Sequence, residues 1–154
     1  MSVTLRSATQ ADHAALRAFD DRLIAEAALP GATRDDFQRF QRRFTDAALS
    51  DTNPQSRLIV AVDDRDQILG YMHLKSTHDD VFDCETGYLS IIAVAEITAG
   101  KGIGRLLMKT AEDWARAQGY PALLLDVFAS NDTARRFYAR AGFAEDSVRL
   151  RRPL

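Results

Sequence analysis

The stretch from Ile103 to Ala115 limits what this chain can fold into more than any other. Ile103, Leu106, Leu107, Thr110, Ala111, Trp114 and Ala115 recur at i, i+3, i+4, i+7, i+8, i+11 and i+12, the spacing of a helix that buries one stripe. Arg105, Lys109, Glu112, Asp113 and Arg116 take the other side, and Gly119 with Pro121 ends the pattern. Directly before it stands "AGKGIG", with Gly100, Gly102 and Gly104 on alternate positions, and before that the β-rich run "TGYLSIIAV" (Thr86 to Val94). Strand, glycine turn and amphipathic helix thus follow one another directly. Glycine disfavours helix by up to about 1 kcal/mol per interior position, so three of them here mark a backbone that turns sharply or lets something come close.

The flanking segments fill in the rest. "VTLRSAT" (Val3 to Thr9) alternates as a half-buried strand does. Thr9 then caps a helix holding Ala14, Ala15, Leu16, Phe19, Leu23 and Ile24, which "LPGAT" ends. Thr33 and Asp35 open a second helix with Phe37, Phe40, Phe44, Ala48 and Leu49 on one face, and "SDTNP" is a loop. "SRLIVAVD" and "QILGYMHLKST" read as a hairpin turning at Asp64 to Asp66, and the run Thr86 to Val94 pairs antiparallel with its second strand. "ALLLDVF" (Ala122 to Phe128) is nearly all apolar, which predicts a strand buried on both faces in the middle of the sheet. Ser130 or Asn131 caps the helix "DTARRFYARA", and "FAEDSVRLRRPL" closes the chain as one or two short strands. The order βααβββαβαβ, with no repeat or linker, predicts one mixed α/β domain over residues 1–154.

With 154 residues, 46% of them hydrophobic, the chain is long enough to bury a substantial core. A formal net charge of −2 argues against a nucleic-acid partner. The single cysteine, Cys84, excludes an internal disulfide and reads as an inert thiol. No apolar run spans a bilayer, and Met1 to Arg6 lack the order of a signal peptide. The expected setting is the cytoplasm, without membrane contact. His13, His73 and His78 are scattered without metal-ligand spacing, so no metal is expected.

A glycine turn opening a helix is an anion site, because the first-turn N–H groups are unpaired and the dipole places about half a positive charge there. Lys101 and Arg105 add mobile charge. A P-loop is excluded, since no glycine precedes a Lys-Ser or Lys-Thr pair. A dinucleotide fingerprint fails at its third glycine, which would fall on Arg105 or Leu107, although Asp126 imitates the ribose-binding acid of that fold. The remaining candidate is G-x-G at a helix start after "IIAV". Here the chain resembles the GNAT family of N-acetyltransferases, whose signature [QR]-x-x-G-x-[GA] is met by "AGKGIG" with Ala99 in place of the usual Arg or Gln. The resemblance runs on through "LDVFASNDTARRFYARAGF" and covers Thr86 to the C-terminus closely, the earlier half mainly in element order.

The resemblance implies a GNAT-like α/β fold, a mixed and mostly antiparallel central sheet flanked by helices. It also implies acetyl transfer from acetyl-CoA to a primary amine by direct attack in a ternary complex. Lys101, Gly102, Ile103, Gly104 and Arg105 would cradle the phosphates. The pantetheine arm would pair with the strand edge at Ile92, Ala93 and Val94, and a backbone N–H near Ile92 would polarise the thioester carbonyl. Asn131 and Tyr138, seven residues apart on one helix face, would bind the pantetheine and protonate the leaving thiolate. The family often places a Glu or His at positions matching Tyr88 or Ser90. Neither residue here is a base at neutral pH, so Glu85 with Ser90 holding a water is the expected proton acceptor. Asp79, Asp80, Asp83 and Glu85 would attract a cationic amine or form only a solvated loop. Tyr71 and His73, on one strand face, either line the acceptor pocket or pack in the sheet. The acceptor is an amine on a small molecule or a protein, and a homodimer is left open. Two other readings stand beside this one: a silent CoA-binding regulatory or interaction module, suggested by Ala99 and the missing base, and a nicotinamide-cofactor enzyme resting on Asp126.

Overall fold

Residues 2–154 are described by a computed structural model. The long hairpin at its centre joins β3 (Ile68–Asp79) and β4 (Cys84–Val94), paired antiparallel from Gly70↔Val94 to Asp79↔Cys84. The strands β2 (Arg57–Val62) and β1 (Thr4–Ser7) add on antiparallel beyond β3. The short β5 (Leu123–Leu124) adds parallel to β4, giving the order β1-β2-β3-β4-β5. This is the mixed, mostly antiparallel sheet that the resemblance implies.

Alternation along β3 and β4 sends side chains to both faces, and both are covered. Met72, Leu74 and Leu89 meet Ile103, Leu107, Met108, Ala111 and Trp114 of helix α4 (Ile103–Ala117). On the other face Val60, Tyr71, Ile91 and Ala93 meet Leu16 and Ala48. Ala48 belongs to α3 (Arg34–Leu49), whose start is fixed by a reciprocal cap: the Thr33 hydroxyl accepts from the Asp36 N–H while the Asp36 carboxylate accepts from Thr33.

The structure differs from expectation in three places. The first expected helix is broken into a 3₁₀ turn (Gln10–Asp12), α1 (His13–Arg17) and α2 (Asp20–Leu23). At the break the Phe19 N–H reaches back only three residues to Leu16, a tightened turn. Phe19 packs edge-on against Tyr71 at 5.4 Å, and Asp20 accepts a 2.6 Å hydrogen bond from Thr45 of α3. The strand expected over Ala122 to Phe128 pairs only at Leu123 and Leu124 and lies at the sheet edge, because nothing pairs on its far side among the described residues. The closing strands are absent as well. After α5 (Asp132–Arg140) the chain from Phe143 to Leu154 has no regular structure. Val148 and Leu150 are the apolar residues among Glu145, Asp146, Arg149, Arg151 and Arg152, and they stay 71% and 89% exposed. That leaves little burial to offset the entropy of ordering a strand.

One further link positions the site. The loop after α2 is pinned to the start of α5: the Ser130 hydroxyl donates to the Glu26 carbonyl at 2.7 Å, and Thr133 donates to the Glu26 carboxylate at 2.7 Å. The sheet and α4 carry the fold's stability, so Leu107→Ala, at a fully buried position, is expected to cost about 2–5 kcal/mol. Urea titration checks this; a loss within about 0.5 kcal/mol, the range of surface changes, would contradict a core organised on α4.

Candidate active site

The glycine loop is built to turn the chain and leave amides free. After β4 a 3₁₀ turn (Glu96–Thr98) buries Thr98, whose hydroxyl donates to the Ala95 carbonyl at 2.8 Å. The Lys101 N–H closes onto the Thr98 carbonyl at 3.0 Å. Gly100 and Gly102 then take φ of +78° and +82°, a region that side chains other than glycine's enter only under strain. Gly102 is the N-cap of α4 and offers no side chain to it; the first helical bond runs from the Leu106 N–H to the Gly102 carbonyl at 2.9 Å. The N–H groups of Ile103, Gly104 and Arg105 therefore point out of the helix end without backbone partners among the described residues. Lys101 and Arg105 are exposed beside them, and neither is in an ion pair among the described residues.

The sheet opens next to this loop. The β4–β5 pairing consists of Gly87↔Leu123 and Tyr88↔Leu124, and the Thr86 hydroxyl and Gly87 N–H both donate to the Ala122 carbonyl behind it. Past Tyr88 the two strands part. The Tyr88 hydroxyl crosses to the Asp126 carboxylate at 2.6 Å, and burial together with that carboxylate raises its pKa. From Leu89 to Val94 the β5 side of β4 has no strand partner. Arg22 of α2 reaches this edge and donates to the Val94 carbonyl at 2.5 Å. Of the strand residues singled out, Ile92 and Val94 turn their side chains toward the α4 face, and Ala93 toward the opposite one.

Helix α5 closes the third side. A Cβ on Gly104 would lie 3.3 Å from the Phe137 ring and 3.6 Å from Val94, so the start of α4, the end of β4 and α5 converge there. Asn131 caps α5, its side-chain oxygen accepting from the Ala134 N–H at 3.1 Å. Tyr138 packs between Phe137 and Phe143 at 5.5 and 5.9 Å, and burial pushes its phenol up to about 12.

Glu85 and Ser90 are not brought together. Five residues of extended strand, about 16 Å, separate them, and Glu85 lies 3.7 Å from His78 near the hairpin tip. A water shared by the two is therefore ruled out by the strand's length. Ser90 instead meets His73. The β3–β4 register passes from His73↔Ile91 to Leu74↔Leu89 and leaves Ser90 as an extra residue, a β-bulge that re-aims its side chain. The Ser90 hydroxyl contacts His73 Nδ1, while His73 Nε2 lies 2.8 Å from the Asp51 carboxylate. His73 is 3% exposed, and burial lowers its pKa. Burial alone would raise Asp51, but hydrogen bonds from Ser56, the Asn53 N–H and His73 outweigh it and hold the carboxyl below its usual range. The pattern of Tyr71 and His73 on one strand face pointed to this side; nothing in "SDTNP" marked Asp51 as the partner.

Comparison with known proteins agrees with this arrangement. A family model described as the Acetyltransferase (GNAT) family matches residues 21–143. An uncharacterized N-acetyltransferase of Bacillus subtilis, YdgE, is 24% identical over 160 residues, spanning 100% of this chain and 99% of its own. The peptidyl-lysine N-acetyltransferase YjaB of Salmonella typhimurium is 30% identical over 112 residues, 73% of this chain and 67% of its own. The chain spans 25% to 44% of the length of the mycothiol acetyltransferases that it also matches. Among solved structures, a putative acetyl transferase from Pyrococcus furiosus superposes with a TM-score of 0.80 at 21% identity, over 99% of this chain and 100% of that one. A glycine-capped helix end beside a split sheet, together with a family match over most of its length, identifies the chain: it belongs to the GNAT family of acetyl-CoA-dependent N-acetyltransferases.

Proposed function

We propose that this N-acetyltransferase moves the acetyl group of acetyl-CoA directly to a primary amine while both substrates are bound, with the donor lying from the start of α4 into the β4–β5 split. The observation that carries this reading is that two unfilled features, free helix-end amides and an unpaired strand edge, converge at Gly104 beside the Tyr138 helix. The amides of Ile103, Gly104 and Arg105 are placed to hold pyrophosphate oxygens, with Lys101 and Arg105 supplying positive charge. This backbone cradle does not depend on the side chain that Ala99 lacks. The Ile92–Val94 edge would add the pantetheine amides as an extra strand, with Arg22 giving up the Val94 carbonyl. An N–H of that edge near Ile92 would stabilise the oxyanion. Asn131, whose side-chain oxygen is taken by the Ala134 N–H, would bind the pantetheine through its side-chain NH2. The unit so read comprises residues 1–154 and works in the cytoplasm, in keeping with its single unpaired thiol, Cys84. The acceptor is an amine that reaches the split from the α2 and α3 side.

Tyr138, held neutral with a phenol near 12, would donate a hydrogen bond to sulfur as charge develops there. Full transfer to a thiolate of ordinary pKa, about 8.5, is uphill, so the contribution is that of a hydrogen bond to a charged group, about 1.5–3 kcal/mol. Tyr138→Phe is thus expected to slow single-turnover acetyl transfer roughly 10- to 100-fold with CoA affinity unchanged. An unchanged chemical rate would make Tyr138 a packing residue.

The experiment that tests the whole reading pairs a thermal melt in acetyl-CoA with turnover over a panel of a lysine peptide, spermidine and an aminoglycoside. Acetyl-CoA at a hundredfold excess over Kd is expected to stabilise the fold by about 2.7 kcal/mol, and one amine class to be acetylated. Gly102→Asp places bulk and negative charge at the helix end, where open space surrounds the glycine, and is expected to abolish the stabilisation while the protein stays folded at a cost of about 1–2 kcal/mol for the left-handed backbone. A folded Gly102→Asp protein with wild-type acetyl-CoA affinity would overturn the cradle.

A further inference from the structure

We propose that Ser90, His73 and Asp51 form a buried proton relay that takes up the proton lost by the attacking amine, an inference that rests on the transferase reading above. Three observations carry it. First, the order of groups is directional: Asp51 faces one ring nitrogen of His73 and Ser90 the other. Burial favours the neutral imidazole, and a ring proton on Nε2 facing the carboxylate leaves Nδ1 as an acceptor for the Ser90 O–H, whose other acceptor is the His73 carbonyl at 3.3 Å. Second, the bulge sets Ser90 two residues past Tyr88, where pairing with β5 ends and the split begins. Third, His73 and Asp51 line two adjoining cavities of about 300 and 280 Å³, the second also lined by Ser90, so the relay borders space through which its proton can leave.

The proton count closes. The amine nitrogen forms the new N–C bond, and the C–S bond breaks with its electron pair going to sulfur. Ser90 Oγ receives a proton from the nitrogen as its own passes to His73 Nδ1, and the resulting imidazolium is held by Asp51. Sulfur, hydrogen-bonded by the Tyr138 phenol, takes its proton from water. His73 then returns its proton to solvent through the cavity, so one proton leaves nitrogen and one arrives at sulfur. This supplies the base that neither Tyr88 nor Ser90 provides alone. Besides Asp51, the charged or titratable groups facing His73 are Lys75 on its own strand, Arg57 of β2 and His13 of α1. Lys75 opposes protonation, and Asp51 favours it.

The test uses the full chain with acetyl-CoA and whichever amine of the panel is turned over best. The wild-type kcat/KM for the amine is expected to fall as pH drops below an ionisation under 6.5, the ordinary histidine value. His73→Gln is expected to lower the single-turnover rate about 100-fold or more and to erase that ionisation, with acetyl-CoA Kd unchanged. Ser90→Ala, a smaller change that keeps the test alive if His73→Gln fails to fold, should lower the rate at least tenfold with acetyl-CoA KM unchanged. Asp51→Asn should lower the rate in the same direction. Variants that lose only stability while keeping the wild-type rate and pH profile overturn the relay. A wild-type protein that neither binds acetyl-CoA nor acetylates any amine overturns the transferase reading instead.

Discussion

Parallel strands satisfy each other's backbone groups only while they stay near 4.8 Å apart, and β4 and β5 do so for two residue pairs. Beyond Tyr88 the next six residues of β4 face a gap. Backbone groups at such a place need partners, and the chain provides few: Arg22 to the Val94 carbonyl is one. The edge is therefore left able to pair with an extended molecule that carries its own amides. The position of the helix that follows depends on the same divergence, because α4 packs on one face of β3 and β4 and must begin where β4 stops.

Two unrelated requirements are met by the turn between them. Reversal from β4 into α4 within a few residues needs the left-handed backbone of Gly100 and Gly102. An N-cap without a side chain then leaves the helix end for an anion rather than satisfying it internally. On the other face of the sheet, the bulge at Ser90 turns one polar side chain toward His73 just where the strand edge becomes free. Donor recognition and proton handling thus meet on a single strand, β4, from its two sides.

Much of this was legible in the residues. The helix over Ile103–Ala117 follows from its apolar stripe, and the β2–β3–β4 meander follows from alternation and the turn at Asp64 to Asp66. Motif order from the glycine loop to "FYARAGF" identified the family. Other features depend on long-range contacts that periodicity does not encode. The break before Asp20 answers to Tyr71 and Thr45, more than 20 residues away. "ALLLDVF" carries the composition of a central strand, yet it lies at the sheet edge, where the charged tail supplies no outer strand, and only Leu123 and Leu124 pair before it parts from β4. Glu85 and Ser90 looked close in number, and an extended backbone set them far apart. Asp51 was invisible because its partner lies 22 positions on, across the sheet.

Hydrogen exchange of backbone amides, with and without acetyl-CoA, reads the donor site residue by residue. In the free protein the N–H groups of Ile103, Gly104 and Arg105 have no acceptor among the described residues, so they exchange fast. Acetyl-CoA is expected to slow exchange there and along Leu89 to Val94, with the β1–β2 pairing unaffected. Protection confined to the cavities beside Asp51 and His73, with the α4 end and the β4 edge unchanged, would contradict it.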